Sequence, residues 1–158
     1  SQELEKLLSY TMERDVITRA DIEAVCTTQI TNRIFEMIRA VTEKKQRKAL
    51  DLYQDLLALK EPPMRILFLL ARQFNLLLQV KELLADHCDQ ATIARRTGLQ
   101  SFVVRNYIPM SRQYTAEELK EAVRDCVQME EDVKTGKISD LLSVELLITK
   151  YSKAEERR

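Results

Sequence analysis

The sequence predicts an all-α protein built as a helical bundle. The 158-residue chain contains only two glycines and three prolines, and charged residues make up 32% of it, which is the composition of long-helix proteins. Hydrophobic residues make up 45%, enough for a real core. Apolar residues recur at helical spacing, and no stretch alternates as a β-strand does. The long apolar stretch at residues 62–86 is the centre around which the other helices are expected to pack.

The predicted central helix reads PPMRILFLLARQFNLLLQVKELLAD. Its two leading prolines suit a first helical turn, where a backbone N–H would have no partner. One polar stripe follows helical spacing and consists of Arg65, Arg72, Asn75, Gln79, Glu82 and Asp86. Because the rest of the helix is apolar, other helices or a partner must cover it. Arg72 interrupts the apolar run well short of the roughly 18 residues that a membrane span needs.

Two short helices are predicted before the bundle. Residues 2–13 carry apolar residues at helical spacing. A second helix is expected to start at Thr18, with Asp21 as a weak form of the capping box. The segment TTQIT that follows is predicted to end this helix. We therefore place a domain boundary in that segment, with residues 1–29 before it and residues 30–158 as the bundle.

The bundle is predicted to begin with a helical hairpin that turns at TEKKQRK and leads into the central helix. A short helix is then expected to end at Gly98, a natural C′ residue, and the next helix, at residues 100–112, is expected to be kinked or ended by Pro109. Thr115 and Glu118 predict a capping box for a long acidic helix, and Ser139 is expected to cap the last one. The residues expected to face inward in these last two helices are Leu119, Val123, Cys126, Val127, Val133, Leu141, Leu142, Val144, Leu146, Leu147, Ile148 and Tyr151.

No pattern in the sequence indicates a catalytic or cofactor site. With two glycines, the chain lacks the Gly-rich turn that admits a phosphate to the backbone. Its single histidine, His87, lies between Asp86 and Cys88, but neighbours at a helix end point in different directions, and a zinc site needs four converging ligands. We therefore interpret His87 as part of a solvent-facing turn and expect no metal, no cofactor and no catalytic site.

Charge and cysteine content restrict the environment and the partners. Lys+Arg and Asp+Glu balance at 25 each, so a general polyanion-binding surface is not indicated. Cys26, Cys88 and Cys126 are widely spaced and form no CxxC pair, which is typical of reduced thiols in a cytoplasmic protein.

Residues 91–112 allow an alternative interpretation as a DNA-binding helix–turn–helix. Ala94, Gly98 and Val104 are spaced as in that motif, and the segment contains no acid. It contains four arginines: Arg95, Arg96, Arg105 and Arg112. Against DNA reading, the second helix is mostly apolar, whereas the major groove is read by polar side chains. The acidic helix that follows is expected to pair with the arginines, so internal packing is the favoured interpretation.

Two stretches of the sequence resemble a known family. They are LLARQFNLLLQVKELL at residues 69–84 and IARRTGLQSFVVRNY at residues 93–107. Together with the capped acidic helix and the Leu-rich last helix, they resemble the C-terminal part of the delta subunit of bacterial DNA polymerase III. The resemblance covers residues 32–158, and the opening ELEKLLSYTMERDVITRADIEAVC is similar to the end of that family's middle domain.

The resemblance implies a role in assembly. The delta subunit belongs to the clamp loader, a pentamer that opens the ring-shaped sliding clamp and places it on primed DNA. The family has an N-terminal AAA+-like domain, a helical lid domain and a helical collar domain, and the five collars pack into a ring. Residues 1–29 would be the end of the lid, and residues 30–158 would be the collar.

The resemblance also implies the partners. The collar would contact the tau/gamma and delta prime subunits in the cytoplasm, and DNA would be met only through the assembled loader. The sliding clamp is contacted by the family's N-terminal domain. The family is part of the DNA-directed DNA polymerase holoenzyme, a nucleotidyltransferase, although delta itself lacks a working ATPase site.

The polar stripe of the central helix is the candidate interface. It is too narrow for a helix that faces water, so we expect part of it, with Arg72, Asn75 and Gln79, or part of the last helix, to face a neighbouring subunit. The alternative is that Arg72 is satisfied within its own domain.

Overall fold

The computed structural model describes the backbone of residues 19–153 and the side chains of residues 30–153. Throughout this part of the chain the regular structure is helical, which confirms the predicted all-α class. The helices are α1 (Arg19–Thr42), α2 (Gln46–Ala58), α3 (Pro63–Ala85), α4 (Gln90–Thr97), α5 (Ser101–Ser111), α6 (Ala116–Lys134) and α7 (Asp140–Ser152).

The predicted helix break at TTQIT is wrong. Helix α1 continues through this segment from Arg19 to Thr42. No Gly or Pro lies inside α1, and Thr and Ile each lower helix propensity by less than about 1 kcal/mol, so their presence does not end a helix. The predicted helix at residues 2–13 and the cap at Thr18 lie outside the described residues.

Contacts group the chain into two compact units, residues 1–33 and residues 34–158. The predicted assignment of residues 1–29 to a lid and residues 30–158 to a collar stays a prediction.

Helix α3 is the centre of the larger unit, as predicted. It packs most extensively against α6 and also contacts α4, α5 and α7. Pro62 is its N-cap in an extended conformation, and Pro63 is the first helical residue. Its buried residues are Ile66, Leu67, Leu70, Gln73, Phe74, Leu76, Leu77 and Val80. Burying so many apolar side chains on one helix is what makes α3 the core of the bundle.

Three predicted helix ends in the second half of the chain are confirmed, whereas α5 does not end at Pro109 but continues to Ser111. Gly98 closes α4 in the left-handed region, at φ +76°. Thr115 and Glu118 form both hydrogen bonds of the capping box at the start of α6. The Ser139 side chain accepts a hydrogen bond from the Leu142 N–H at the start of α7.

Five apolar residues that were expected to be buried are exposed. They are Phe68 on α3, Val127 on α6, and Leu141, Leu142 and Leu146 on α7. The core is filled by other apolar residues of each helix, so one apolar side chain on α3, one on α6 and three on α7 are left outside it. Packing inside the domain therefore does not account for all the apolar surface that the sequence encodes.

Side chains from elsewhere in the unit hold the C-terminal end of α7. The Lys44 ammonium and the Gln46 amide donate to the carbonyl oxygens of Tyr151 and Thr149, each at 3.1 Å. The Tyr114 hydroxyl lies 2.7 Å from the Tyr151 carbonyl oxygen. Because the last carbonyls of a helix have no partner within it, these donors anchor α7 to the start of α2 and to the α5–α6 connection.

Candidate functional site

The polar stripe on α3 lies on the outside of the domain. Arg72 and Asn75 are exposed and Gln79 is half-buried. Phe68, 66% exposed, shares this face, since it lies three residues after Arg65 and four before Arg72. The predicted interface residues therefore lie on one outward face, next to the largely exposed aromatic ring of Phe68.

Arg72 makes no ion pair within the described residues. By contrast, Arg65 on the same polar stripe pairs with Glu61 at 3.1 Å. Beneath the stripe, the buried Tyr107 hydroxyl donates to the side-chain amide oxygen Oε1 of Gln73, which ties α5 to α3. Burial raises the pKa of Tyr107, although the Gln73 hydrogen bond and the nearby Arg72 charge act against it. Arg72 thus lies exposed at the surface, close enough to the buried Tyr107–Gln73 contact for its charge to act on Tyr107.

An apolar groove runs along the stripe between α3 and α6. Its volume is about 300 Å³, and its lining includes Met64, Leu67 and Phe68 from α3 and Val127 and Val133 from α6. Val127 is 62% exposed. The exposed apolar surface therefore continues from α3 onto α6. Phe68 and Val127 lie at the rim of the groove, and both side chains are exposed to solvent.

The thiol of Cys126 lies in the wall of this groove. Burial raises the pKa of Cys126 to about 12, so the thiol is protonated at neutral pH. It contributes apolar surface to the groove rather than a nucleophile.

The outward side of α7 forms a separate apolar surface, which we call the α7 leucine face. It consists of Leu141, Leu142 and Leu146, which are between 42% and 49% exposed. The opposite side of α7 is fully buried and contains Val144 and Leu147. A helix that is apolar on both sides is normally covered on both sides.

A side chain from α2 is hydrogen-bonded to the backbone at the start of the α7 leucine face. The Tyr53 hydroxyl donates to the Leu141 carbonyl oxygen at 2.9 Å. Burial, together with the nearby carboxylates of Asp140 and Glu145, raises the pKa of Tyr53 to about 12, so the hydroxyl stays a donor at neutral pH. The first turn of α7, which contains two of the exposed leucines, is therefore tied to α2 by this hydrogen bond.

His87 lies in an exposed turn after α3, as predicted. Its backbone is in the left-handed region, at φ +61°. Among the described residues there is no group of three or more His, Cys, Asp or Glu side chains that could hold a metal ion. In the same part of the chain, no helix is long and apolar enough to cross a membrane.

Comparison with known proteins agrees with the resemblance seen in the sequence. Residues 31–151 match the family described as DNA polymerase III delta subunit, C-terminal domain. The chain belongs to the DNA polymerase III delta family. DNA polymerase III subunit delta of Bacillus subtilis strain 168 is 30% identical over 156 residues, which are 99% of this chain and 45% of that protein.

The fold agrees with a solved delta structure. The Bacillus subtilis DNA clamp loader delta protein YqeN has a TM-score of 0.74 and 29% sequence identity, over 97% of this chain and 45% of that chain. The chain thus spans less than half the length of these two relatives. Because residues 31–151 match the delta domain as a whole, the interpretation of residues 91–112 as the DNA-binding domain of a regulator is not supported.

The expectation that the acidic side chains of α6 would pair with the four arginines of residues 91–112 is wrong. No ion pair within 4 Å involves Arg95, Arg96, Arg105 or Arg112 in the part of the chain that the structure describes. The α6 carboxylates pair instead with lysines, as Glu130 does with Lys134 at 2.9 Å. The lysines lie one turn away or on α7, so they reach these carboxylates without spanning the domain.

Sequence reasoning identified the polar part of the candidate site and missed its apolar part. Phe68 lies between Arg65 and Arg72, which are seven residues apart in the polar stripe. Helical spacing places residue 68 on the same face as these two arginines, and this was the signal that Phe68 is exposed. Val127 likewise lies three residues after Arg124 and four before Glu131, both exposed.

Proposed function

We propose that residues 34–158 form the assembly module of a clamp-loader subunit. The observation that carries this proposal is the presence of two exposed apolar surfaces on one well-packed unit. One is the groove rim with Phe68 and Val127, and the other is the α7 leucine face. Contiguous exposed apolar surface of this kind marks an interaction site on a folded protein.

Two surfaces suit a subunit within a ring. A member of a ring contacts one neighbour on each side, and the two contacts use different patches because the interfaces are heterologous. The α7 leucine face and the groove rim are made of different residues on different helices. We assign one to each neighbour, with tau/gamma and delta prime as the proposed partners.

The polar residues beside the groove are proposed to select the neighbour. Arg72 and Asn75 are exposed next to Phe68, and Gln79 continues the stripe. An apolar centre with a polar rim is the usual arrangement of a specific interface. Arg72, having no ion pair in the described part of the chain, has donors to offer to a carboxylate or carbonyl of that neighbour.

Clamp opening is assigned to the complete protein and not to this unit. The chain spans 45% of its curated relative, and the family resemblance implies that the clamp is contacted from the N-terminal domain. We propose that this unit positions that domain within the loader, in the cytoplasm, without performing a chemical step itself.

The test is size-exclusion chromatography with light scattering on this chain, alone and mixed with its cognate tau/gamma and delta prime subunits. We expect a complex that contains the chain. Replacing Leu142 and Leu146 together by glutamate should weaken it by tenfold or more, because two charges would be buried without partners. A control adds a single charge at an exposed polar position of α2, Gln54→Glu, and should leave the complex unchanged. A chain that migrates alone in every mixture would contradict the proposal.

A further inference from the structure

A carboxylate lies within the α7 leucine face. Glu145 is exposed, and it lies four residues after Leu141 and three after Leu142. It directly precedes Leu146, the third exposed leucine. Because residues three and four apart on a helix are neighbours, the Glu145 side chain belongs to the same outward face as the leucines. This face therefore combines exposed apolar side chains with a negative charge.

The charge of Glu145 is not cancelled within the domain. Glu145 makes no ion pair in the part of the chain that the structure describes. The lysine of α7, Lys150, is held by two carboxylates of α6, at 3.0 and 2.8 Å. Burial is the main cause of the raised pKa of Tyr53, and the charges of Asp140 and Glu145 add to it, so both carboxylates lie near the hydroxyl that holds the start of this face.

The groove rim carries the opposite charge. On its α6 side, the exposed Arg124 and Glu131 flank Val127 and offset each other. On its α3 side, Arg72 lies beside Phe68 and makes no ion pair with any described residue. The uncompensated charge at the groove is thus positive, whereas that at the α7 leucine face is negative. One neighbour cannot match both surfaces, since juxtaposed like charges strongly disfavour an interface.

The same charge disfavours a second copy of this chain as the occupant of the α7 leucine face. A twofold contact places a face against itself, so two Glu145 carboxylates would meet between the apolar side chains. A surface with lysine or arginine beside its apolar centre avoids this repulsion and offers charge-assisted hydrogen bonds to the carboxylate.

We propose that the α7 leucine face binds a subunit surface of apolar side chains flanked by lysine or arginine, and that Glu145 pairs with one of those cations. The inference rests on the proposed assembly function and adds the chemistry of the neighbour at this face. The leucines supply the apolar area that is buried, and the carboxylate selects against an acidic neighbour.

The experiment is biolayer interferometry with this chain and each of its cognate tau/gamma and delta prime subunits. The neighbour at the α7 leucine face is the subunit whose binding is lost in Leu142→Ala with Leu146→Ala. For this subunit, Glu145→Gln should weaken binding about threefold and Glu145→Lys tenfold or more, chiefly through slower association. Raising the salt from about 50 mM to about 300 mM should slow association of the parent chain but not of Glu145→Lys.

A matched control makes the same charge change elsewhere. Glu36 is an exposed glutamate of α1 that makes no ion pair with other described residues. Glu36→Lys should leave the affinity and the salt dependence unchanged, and circular dichroism should show equal helicity in all variants.

A second arm separates this inference from the assembly function. Two helical peptides carry the same leucine stripe, flanked by lysines in one and by glutamates in the other, and their binding is followed by NMR shifts of the Leu142 and Leu146 amides. We expect the lysine-flanked peptide to bind more tightly and Glu145→Lys to reverse the preference. If this preference is observed while no loader subunit binds the chain, the assembly function fails and the charge selection at Glu145 stands.

Three results would overturn the inference. The first is subunit binding that Glu145→Lys leaves unchanged or strengthens. The second is equal binding of the two peptides, or a preference for the glutamate-flanked one. The third is self-association of this chain that both Glu145→Lys and Arg72→Glu abolish, because the α7 leucine face would then be occupied by the groove of a second copy. In the first two cases a complex with loader subunits leaves the assembly function intact.

Discussion

Removing one hydroxyl group, with Tyr114→Phe, tests how the end of α7 is held. The Tyr114 side chain is buried, and its hydroxyl lies 2.7 Å from the Tyr151 carbonyl oxygen and 3.2 Å from that of Val41. Burial is the main cause that raises the pKa of Tyr114, so the group is a neutral donor at every pH of interest. The substitution therefore deletes a donor and changes no charge.

The expected cost follows from the partners that remain. The Tyr151 carbonyl keeps the Lys44 ammonium at 3.1 Å, and the Val41 carbonyl keeps the Lys44 backbone N–H at 3.0 Å. Neither acceptor becomes an unsatisfied buried group, so the loss is that of an ordinary hydrogen bond, about 1 kcal/mol of unfolding free energy. For a chain of this length that corresponds to a fall in Tm of about 2–4 °C.

Adding Lys44→Met tests the shared acceptor. The Lys44 ammonium also lies 4.2 Å from the centroid of the Tyr114 ring, a contact that Lys44→Met removes and Tyr114→Phe retains. The double variant removes both side-chain donors to the Tyr151 carbonyl, so it should cost at least about 0.5 kcal/mol more than the sum of the single changes. The assay is urea unfolding followed by circular dichroism at 222 nm. Lys137→Met, at an exposed position, is the control and should be additive with Tyr114→Phe. A loss below about 0.3 kcal/mol for Tyr114→Phe, or additivity with Lys44→Met, would refute the reasoning.

Three further predictions concern stability and use the same unfolding assay. Gly98→Ala should cost about 1–2 kcal/mol because φ is +76°, although the added methyl group has open space around it. Thr115→Ala should cost about 1 kcal/mol by removing the capping-box acceptor of α6. Burial acts to raise the pKa of Asp125, but hydrogen bonds from Lys150 and Tyr151 outweigh it and hold that pKa below its usual value. The ionised Asp125 therefore stabilises the fold above its unfolded pKa of about 4, and this stability is lost as the pH falls further, so Asp125→Asn should flatten the acid side of the stability profile.

Each of these predictions has a defined contrary result. Gly136, which also has positive φ and open space, provides a second test of the backbone argument, and an unchanged stability in both alanine variants would contradict it. Thr135→Ala removes a threonine outside any N-cap and should cost less than Thr115→Ala. For Asp125→Asn, a stability profile between pH 5 and pH 2 identical to that of the parent would contradict the assigned ionisation.

The helices and their ends were accessible from the sequence because their signals are local. The capping box at Thr115, the αL glycine at Gly98 and the paired prolines at the start of α3 each act within one turn of helix. The false break at TTQIT shows the limit of such signals, since β-branched residues disfavour a helix without ending it.

The apolar part of the candidate site needed the structure. Phe68 and Val127 are no less apolar than their buried neighbours, and only the packing of α3 against α6 decides which of them the core has room for. The anchoring of α7 by Lys44 and Tyr114 was equally hidden, because these contacts join residues far apart in the chain. The polar stripe with Arg72 was found because helical spacing alone defines a face.

The central claim is that two apolar surfaces of this unit meet two different loader subunits. Photo-cross-linking tests it most directly, with benzoylphenylalanine placed in turn at the positions of Leu142, Val127 and, as a control, Gln54. We predict that the first two positions cross-link to different subunits of the assembled loader and that the control cross-links to neither. Cross-linking of Leu142 and Val127 to the same subunit, or no more cross-linking than at Gln54, would contradict the claim.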